Sequence, residues 1–211
     1  RNAGVTTINV QLASDLKLMT TTAPTVNTST YTTNITLSPV VARDTDIPDR
    51  GYHYWPVDYA VNQMTVTNAA VTLTNGVAVA VFGSSGLGLR IVGSASLCVQ
   101  GSPTNMVRFT RFTSVQEQPF FWSGKPPGGV VTLSSGTTNT FGIRFAEFSY
   151  LPTSPKDYPF WTDGSPITRA GSFLARDCQF FESNFQFWGP STNPPPRVVL
   201  VNNLFEGGDD L

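Results

Sequence analysis

Val107-Arg-Phe-Thr-Arg-Phe112, Ile143-Arg-Phe-Ala-Glu-Phe148, Ala175-Arg-Asp-Cys-Gln-Phe180 and Leu200-Val-Asn-Asn-Leu-Phe205 are four renderings of one hexamer, apolar first and Phe last. They recur at steps of 36, 32 and 25 residues. Each copy is strand-like rather than helical, and self-similarity at such steps marks a stacked repeat, whose units bury their apolar faces only against their neighbours. The hexamers predict β-coils piled on one another, with Phe145 and Phe180 turned into the interior.

Upstream of the hexamers the apolar residues alternate in threes: Val77, Val79 and Val81, then Leu87, Leu89 and Ile91, then Ala95, Leu97 and Val99, with Gly83, Gly86, Gly93 and Gly101 between them. Strands of about five residues broken by single glycines are too short for long hairpins, but they can turn a corner and run on. The texture is that of an all-β coil with three short faces. Earlier still, Thr7-Ile-Asn-Val-Gln-Leu12 and Tyr31-Thr-Thr-Asn-Ile-Thr-Leu37 alternate as strands do. The loop Arg43-Asp-Thr-Asp-Ile-Pro-Asp-Arg-Gly-Tyr-His-Tyr-Trp-Pro56, dense in acid, Pro and Gly, places a junction near residue 60. Residues 1–60 are then a Thr-rich β segment and 61–211 the coils; Ser38-Pro-Val-Val41 and Pro48-Asp-Arg-Gly-Tyr-His-Tyr54 resemble the segment that closes one module before the next in multi-module bacterial proteins, which implies that 1–60 end a preceding module. The pattern is in mid-course at residue 211, so the chain is expected to be a piece of a longer protein.

Composition agrees with short strands and tight turns. Charged residues make up 13% against 40% hydrophobic, and Thr, Ser, Asn and Gly fill the polar positions. The net charge is −1 with no basic run, which gives no attraction to nucleic acid or anionic membrane. No apolar stretch approaches the roughly 18 residues of a membrane span, and Arg1-Asn-Ala-Gly4 lacks the order of a signal peptide. Cys98 and Cys178 fall two or three coil steps of about 4.8 Å apart, beyond disulfide reach, and are expected to be buried free thiols. Two sequons, Asn27-Thr-Ser29 and Asn34-Ile-Thr36, hint at export.

The run Leu73-Thr-Asn-Gly-Val77 through Gly93-Ser-Ala-Ser-Leu-Cys-Val-Gln-Gly-Ser-Pro-Thr-Asn-Met-Val-Arg-Phe109 resembles right-handed parallel β-helix domains, of the pectate-lyase-like superfamily, found in multi-module bacterial secreted and surface proteins. Val201-Asn-Asn-Leu-Phe-Glu-Gly207 resembles their later coils, in which Asn at a turn stacks coil on coil. The likeness covers roughly residues 64–211. It implies a solenoid fold and an extracellular or cell-surface setting, and it transfers no catalytic residue.

Each of the first three hexamers is followed by an inserted loop with an aromatic cluster: Pro119-Phe-Phe-Trp-Ser-Gly124, Pro159-Phe-Trp-Thr-Asp-Gly164 and Phe185-Gln-Phe-Trp-Gly-Pro190. Trp122, Trp161 and Trp188 should leave the same edge of a stacked coil as a stripe, joined by Phe121 and Phe160. Flat apolar rings beside polar groups suit sugar rings. The competing use of the same rings is to pin Pro-rich loops to their neighbours by burial, and contact with a neighbouring subunit is compatible with both. Asp44, Asp46 and Asp49 offer oxygen ligands to calcium but lack the Gly and distal Glu of an EF-hand, so a solvated turn competes. Asp177 and Glu182 are the weak candidates for a glycosidase-type carboxylate pair, although Asp177 aligns with Asn202 one coil on, as turn residues do. The single histidine, His53, cannot build a triad or a metal cluster.

The expectation is a non-enzymatic extracellular scaffold or adhesin contacting carbohydrate or neighbouring subunits through its aromatic loops. A polysaccharide lyase or glycoside hydrolase is one alternative, and a self-assembling filament or surface-layer module is another.

Overall fold

A computed structural model describes residues 7–43, 53–83, 88–112, 129–133, 139–149, 158–162, 172–181 and 197–207. The described strands form three parallel sheets. The first contains β1 (Thr25–Asn27), β4 (Tyr59–Val61), β7 (Ala78–Val81), β10 (Val107–Arg111), β13 (Ala146–Phe148), β16 (Gln179–Phe181) and β18 (Leu204–Glu206). The second contains β2 (Thr30–Tyr31), β5 (Met64–Thr67), β8 (Leu89–Val92), β11 (Gly129–Leu133) and β14 (Tyr158–Thr162). The third contains β3 (Ile35–Leu37), β6 (Ala70–Leu73), β9 (Ser96–Gln100), β12 (Thr140–Arg144), β15 (Ser172–Arg176) and β17 (Arg197–Val201). From β1 to β13 each strand pairs with the strand three places further on, so the chain visits the three sheets in rotation.

Alternation along these short strands selects the core. In β5, Met64 and Val66 are fully buried while Thr65 and Thr67 are half-buried, and in β9 Leu97 and Val99 alternate with Ser96 and Cys98. Parallel register then stacks the inward residues into columns. Val71, Leu97, Phe141 and Phe173 make one, and Leu73, Val99, Ile143 and Ala175 another. Each buried Val, Leu, Ile or Phe contributes about 1.5–3 kcal/mol of transfer free energy against the entropy of ordering the chain.

Two strands of the first sheet, β4 and β7, are covered on their outward faces as well. Val61, Val79 and Val81 join the core, while Ala60, Ala78 and Ala80, on the opposite side of the same strands, are also buried. Asp58, fully buried, fixes the chain that crosses there. Its carboxylate accepts hydrogen bonds from the backbone N–H groups of Val40 (2.9 Å), Val41 (3.0 Å) and Ala78 (2.8 Å), and lies 3.5 Å from the Arg43 guanidinium. A buried carboxylate persists only when its lone pairs are satisfied in this way.

Several sequence expectations are corrected. Thr7–Leu12 does not form a strand: Val10–Leu16 is a helix, α1, capped by the Asn9 side chain, which accepts from Gln11 N (2.8 Å) and Leu12 N (3.4 Å). A local cap outweighs a short alternation. The sheets continue through residue 60, with β1, β2 and β3 paired to β4, β5 and β6. The hexamers are not straight strands either. In the last three the first two residues end a third-sheet strand and the last lies in a first-sheet strand, with a corner between.

The first hexamer is out of phase with the others. Phe148 pairs with Phe109 rather than Phe112, because residues 101–106 stand where Phe145 stands alone one coil later. Phe180 and Phe205 follow in the same column. Phe145 itself faces outward and is half-buried, contrary to the expectation that it lines the interior. Cys98 is likewise half-buried, while Cys178 is buried, and both are free thiols as expected.

Candidate functional site

The corner between the third and first sheets repeats through the last coils as Phe145, Asp177 and Asn202, at φ of +51°, +58° and +52°. Asp and Asn tolerate the left-handed conformation this corner demands, but a bulky aromatic there is an outlier. Gly101 occupies the preceding corner, where an added Cβ would run into the Phe145 carbonyl oxygen. Asn203 ties the last two coils: its side-chain oxygen accepts from Cys178 N (2.9 Å) and its amide donates to the Ala175 carbonyl (3.0 Å).

Charge is concentrated on Asp177. The Asn202 side-chain amide donates to its Oδ1 at 2.7 Å, and the Nε groups of Arg144 and Arg176 each lie 3.3 Å from its Oδ2. The Asn202 hydrogen bond, followed by the Arg144 and Arg176 guanidinium groups, holds the carboxyl below the usual aspartate range. Asp177 therefore stays ionised and serves as an acceptor, not as a proton donor. The Arg144 guanidinium also lies 4.8 Å from the centre of the Phe145 ring, a cation–π arrangement.

An open groove of about 490 Å³ runs over this corner. Phe145, Asp177, Gln179 and Asn202 line it, with Pro103 and Met106 at the end where residues 102–106 are inserted and Leu204 at the other. Burial in the core, at the corner between β15 and β16, pushes the Cys178 thiol up from its ordinary value.

Of the residues singled out from sequence, Asp177 lines this groove. Glu182, Trp122, Phe121, Trp188, Asp44, Asp46 and Asp49 lie outside the described residues. Trp161 lies in β14, paired in register with Thr132. Phe160 is a core side chain: at 7% exposure it packs against Phe141, Phe148 and Phe173 with ring centres 6.3, 5.2 and 4.9 Å away. That ring has no free face for a ligand. His53 is half-buried. Among the described residues no group of three His, Cys, Asp or Glu is placed to hold a metal ion.

Two features were missed in the sequence. Asp58 sits in Trp55-Pro-Val-Asp-Tyr-Ala-Val61, where one acid among apolar neighbours is the only signal of its burial. The outward turn of Phe145 has one local signal, the break in alternation where Phe145 and Ala146 stand as adjacent apolar residues. No protein-family model, no curated protein and no solved structure matches this chain.

Proposed function

We propose that the chain is a right-handed parallel β-helix serving as a non-enzymatic scaffold or adhesin module of a bacterial extracellular or cell-surface protein. Its aromatic loops contact carbohydrate or a neighbouring subunit. Support for the solenoid comes from three parallel sheets visited in rotation. Such stacking gives rigidity, because each coil pairs its backbone along the axis and lays its apolar side chains on the next.

The observation that carries the non-enzymatic reading is the state of Asp177. The carboxylate is committed to Asn202, Arg144 and Arg176 and held ionised, whereas a glycosidase acid needs a raised pKa and a second carboxylate about 5 to 9.5 Å away. Trp122 lies in the chain between β10 and β11, Trp161 within β14 and Trp188 between β16 and β17, so the aromatic residues are spread over successive coils.

A glycan-array screen of the purified chain, with product analysis on every polysaccharide bound, tests the reading. Binding without cleavage is expected. Release of unsaturated or reducing ends would replace the scaffold by a lyase or hydrolase, and absence of binding together with concentration-dependent association would favour subunit contact.

A further inference from the structure

The geometry points to a second, separate saccharide site in the groove at the corner of Phe145, Asp177 and Asn202, sized for one or two neutral sugar rings. The groove lies where the third sheet turns into the first, and none of its described lining residues belongs to the aromatic clusters.

The first observation is Phe145. It holds φ +51°, a conformation costly for a bulky residue, yet its ring does not enter the core. At the same corner of the next two coils stand Asp and Asn, which suit that backbone. The ring's contact with the Arg144 guanidinium lies outside the core, and a bulky residue kept at a corner that suits Asp and Asn points to a use for the side chain. The ring forms part of the groove, close to Met106, and gives it an apolar wall beside polar groups.

The second observation is hydrogen-bonding capacity facing the same space. Gln179 lines the groove with a side-chain amide engaged in no described hydrogen bond, and Asn202 uses its amide N–H on Asp177, leaving its carbonyl oxygen to accept. Asp177 accepts three contacts and retains a further lone pair. Arg144 and Arg176 each place Nε 3.3 Å from Asp177 Oδ2, which holds the carboxylate in position. Donors and acceptors mixed in this way beside an aromatic ring match the hydroxyls and the C–H face of a sugar. Pro103 and Met106, from the residues inserted at 102–106, add apolar surface to the groove.

Saturation-transfer NMR with maltose, cellobiose, lactose and N,N′-diacetylchitobiose as probes tests the site on the whole chain. At least one is expected to receive transfer at its ring C–H protons, with apparent affinity falling at least tenfold in Phe145→Gly, a substitution that removes the ring while suiting the corner. Gln179→Ala, at a half-buried surface position, should weaken binding in the same direction, and it stands as the test if Phe145→Gly alters the fold by circular dichroism. No transfer to any probe overturns the proposal. Binding that survives both substitutions but is lost on Trp122→Ala with Trp161→Ala also overturns it, while leaving the loop reading intact.

Discussion

The rings of Phe148 and Phe180 lie 5.0 Å apart and 12° from parallel, the middle step of a column that runs from Phe109 (4.6 Å from Phe148) to Phe205 (4.9 Å from Phe180). Coil spacing dictates the column, since strands about 4.8 Å apart in register bring identical side chains into stacking contact. Phe180 is 1% exposed. Phe180→Ala opens a cavity between two rings and should cost about 3–5 kcal/mol, read as a lowered urea midpoint with little change in slope.

Phe145 should behave in the opposite way, although its hexamer makes it look equivalent in sequence. Its ring lies outside the core and its backbone is left-handed. Loss of the Arg144 contact and relief of strain work against each other in Phe145→Gly, so stability should remain within about 1 kcal/mol of the starting protein. A loss as large as that of Phe180→Ala would return Phe145 to the interior.

The contrast between these two phenylalanines explains what could be read from the chain. Period-two alternation and recurrence identify strands, their parallel stacking and most inward residues, as at Leu97, Val99 and Phe180, because burial imposes the pattern directly. A corner imposes no apolarity. Ile143 and Phe145 alternate as one strand would and Ala146 and Phe148 as the next, so the change of phase between Phe145 and Ala146 is the only local mark of the corner, and it does not say which residue takes the left-handed torsion. Insertion at a corner is silent: residues 101–106 moved the true partner of Phe148 from Phe112 to Phe109. The candidate groove was legible only through Asp177 and its alignment with Asn202, because its other walls come from residues distant in sequence.

Asp58 should prove a large contributor to stability despite lying in no repeat. Asp58→Ala leaves the buried N–H groups of Val40, Val41 and Ala78 without their acceptor, and a loss of about 3–5 kcal/mol is expected. Asp58→Asn keeps one oxygen but turns an N–H₂ toward a backbone donor, so it should rescue only part of that loss. Denaturant melts of both variants check the order, and full rescue by Asn would show that the charge and second oxygen are dispensable.

Acid should weaken the last coils through Asp177. Its carboxyl titrates lower in the folded chain than the ordinary value of about 3.9. A depressed folded value means that the stabilisation is present above the unfolded pKa and fades as pH falls through the folded one. Thermal melts from pH 7 down to pH 2 should therefore show a decline below about pH 4 that is shallower in Asp177→Asn, which removes the titrating group. Identical pH profiles for the two proteins would remove Asp177 as a source of acid sensitivity.

The two thiols should separate cleanly by accessibility. Cys98 is half-buried on the outward side of β9, with the Gln100 side-chain amide 3.2 Å from its sulfur, whereas Cys178 is 1% exposed and its thiol is pushed up by burial. A thiolate is the reacting species, so a buried thiol with a raised pKa is doubly protected. Titration with Ellman's reagent at pH 8 should give one fast equivalent in the native protein and two after denaturation. Cys98→Ser should abolish the fast phase and Cys178→Ser should leave it, because Cys98 is half-buried in β9 whereas Cys178 is buried in the core.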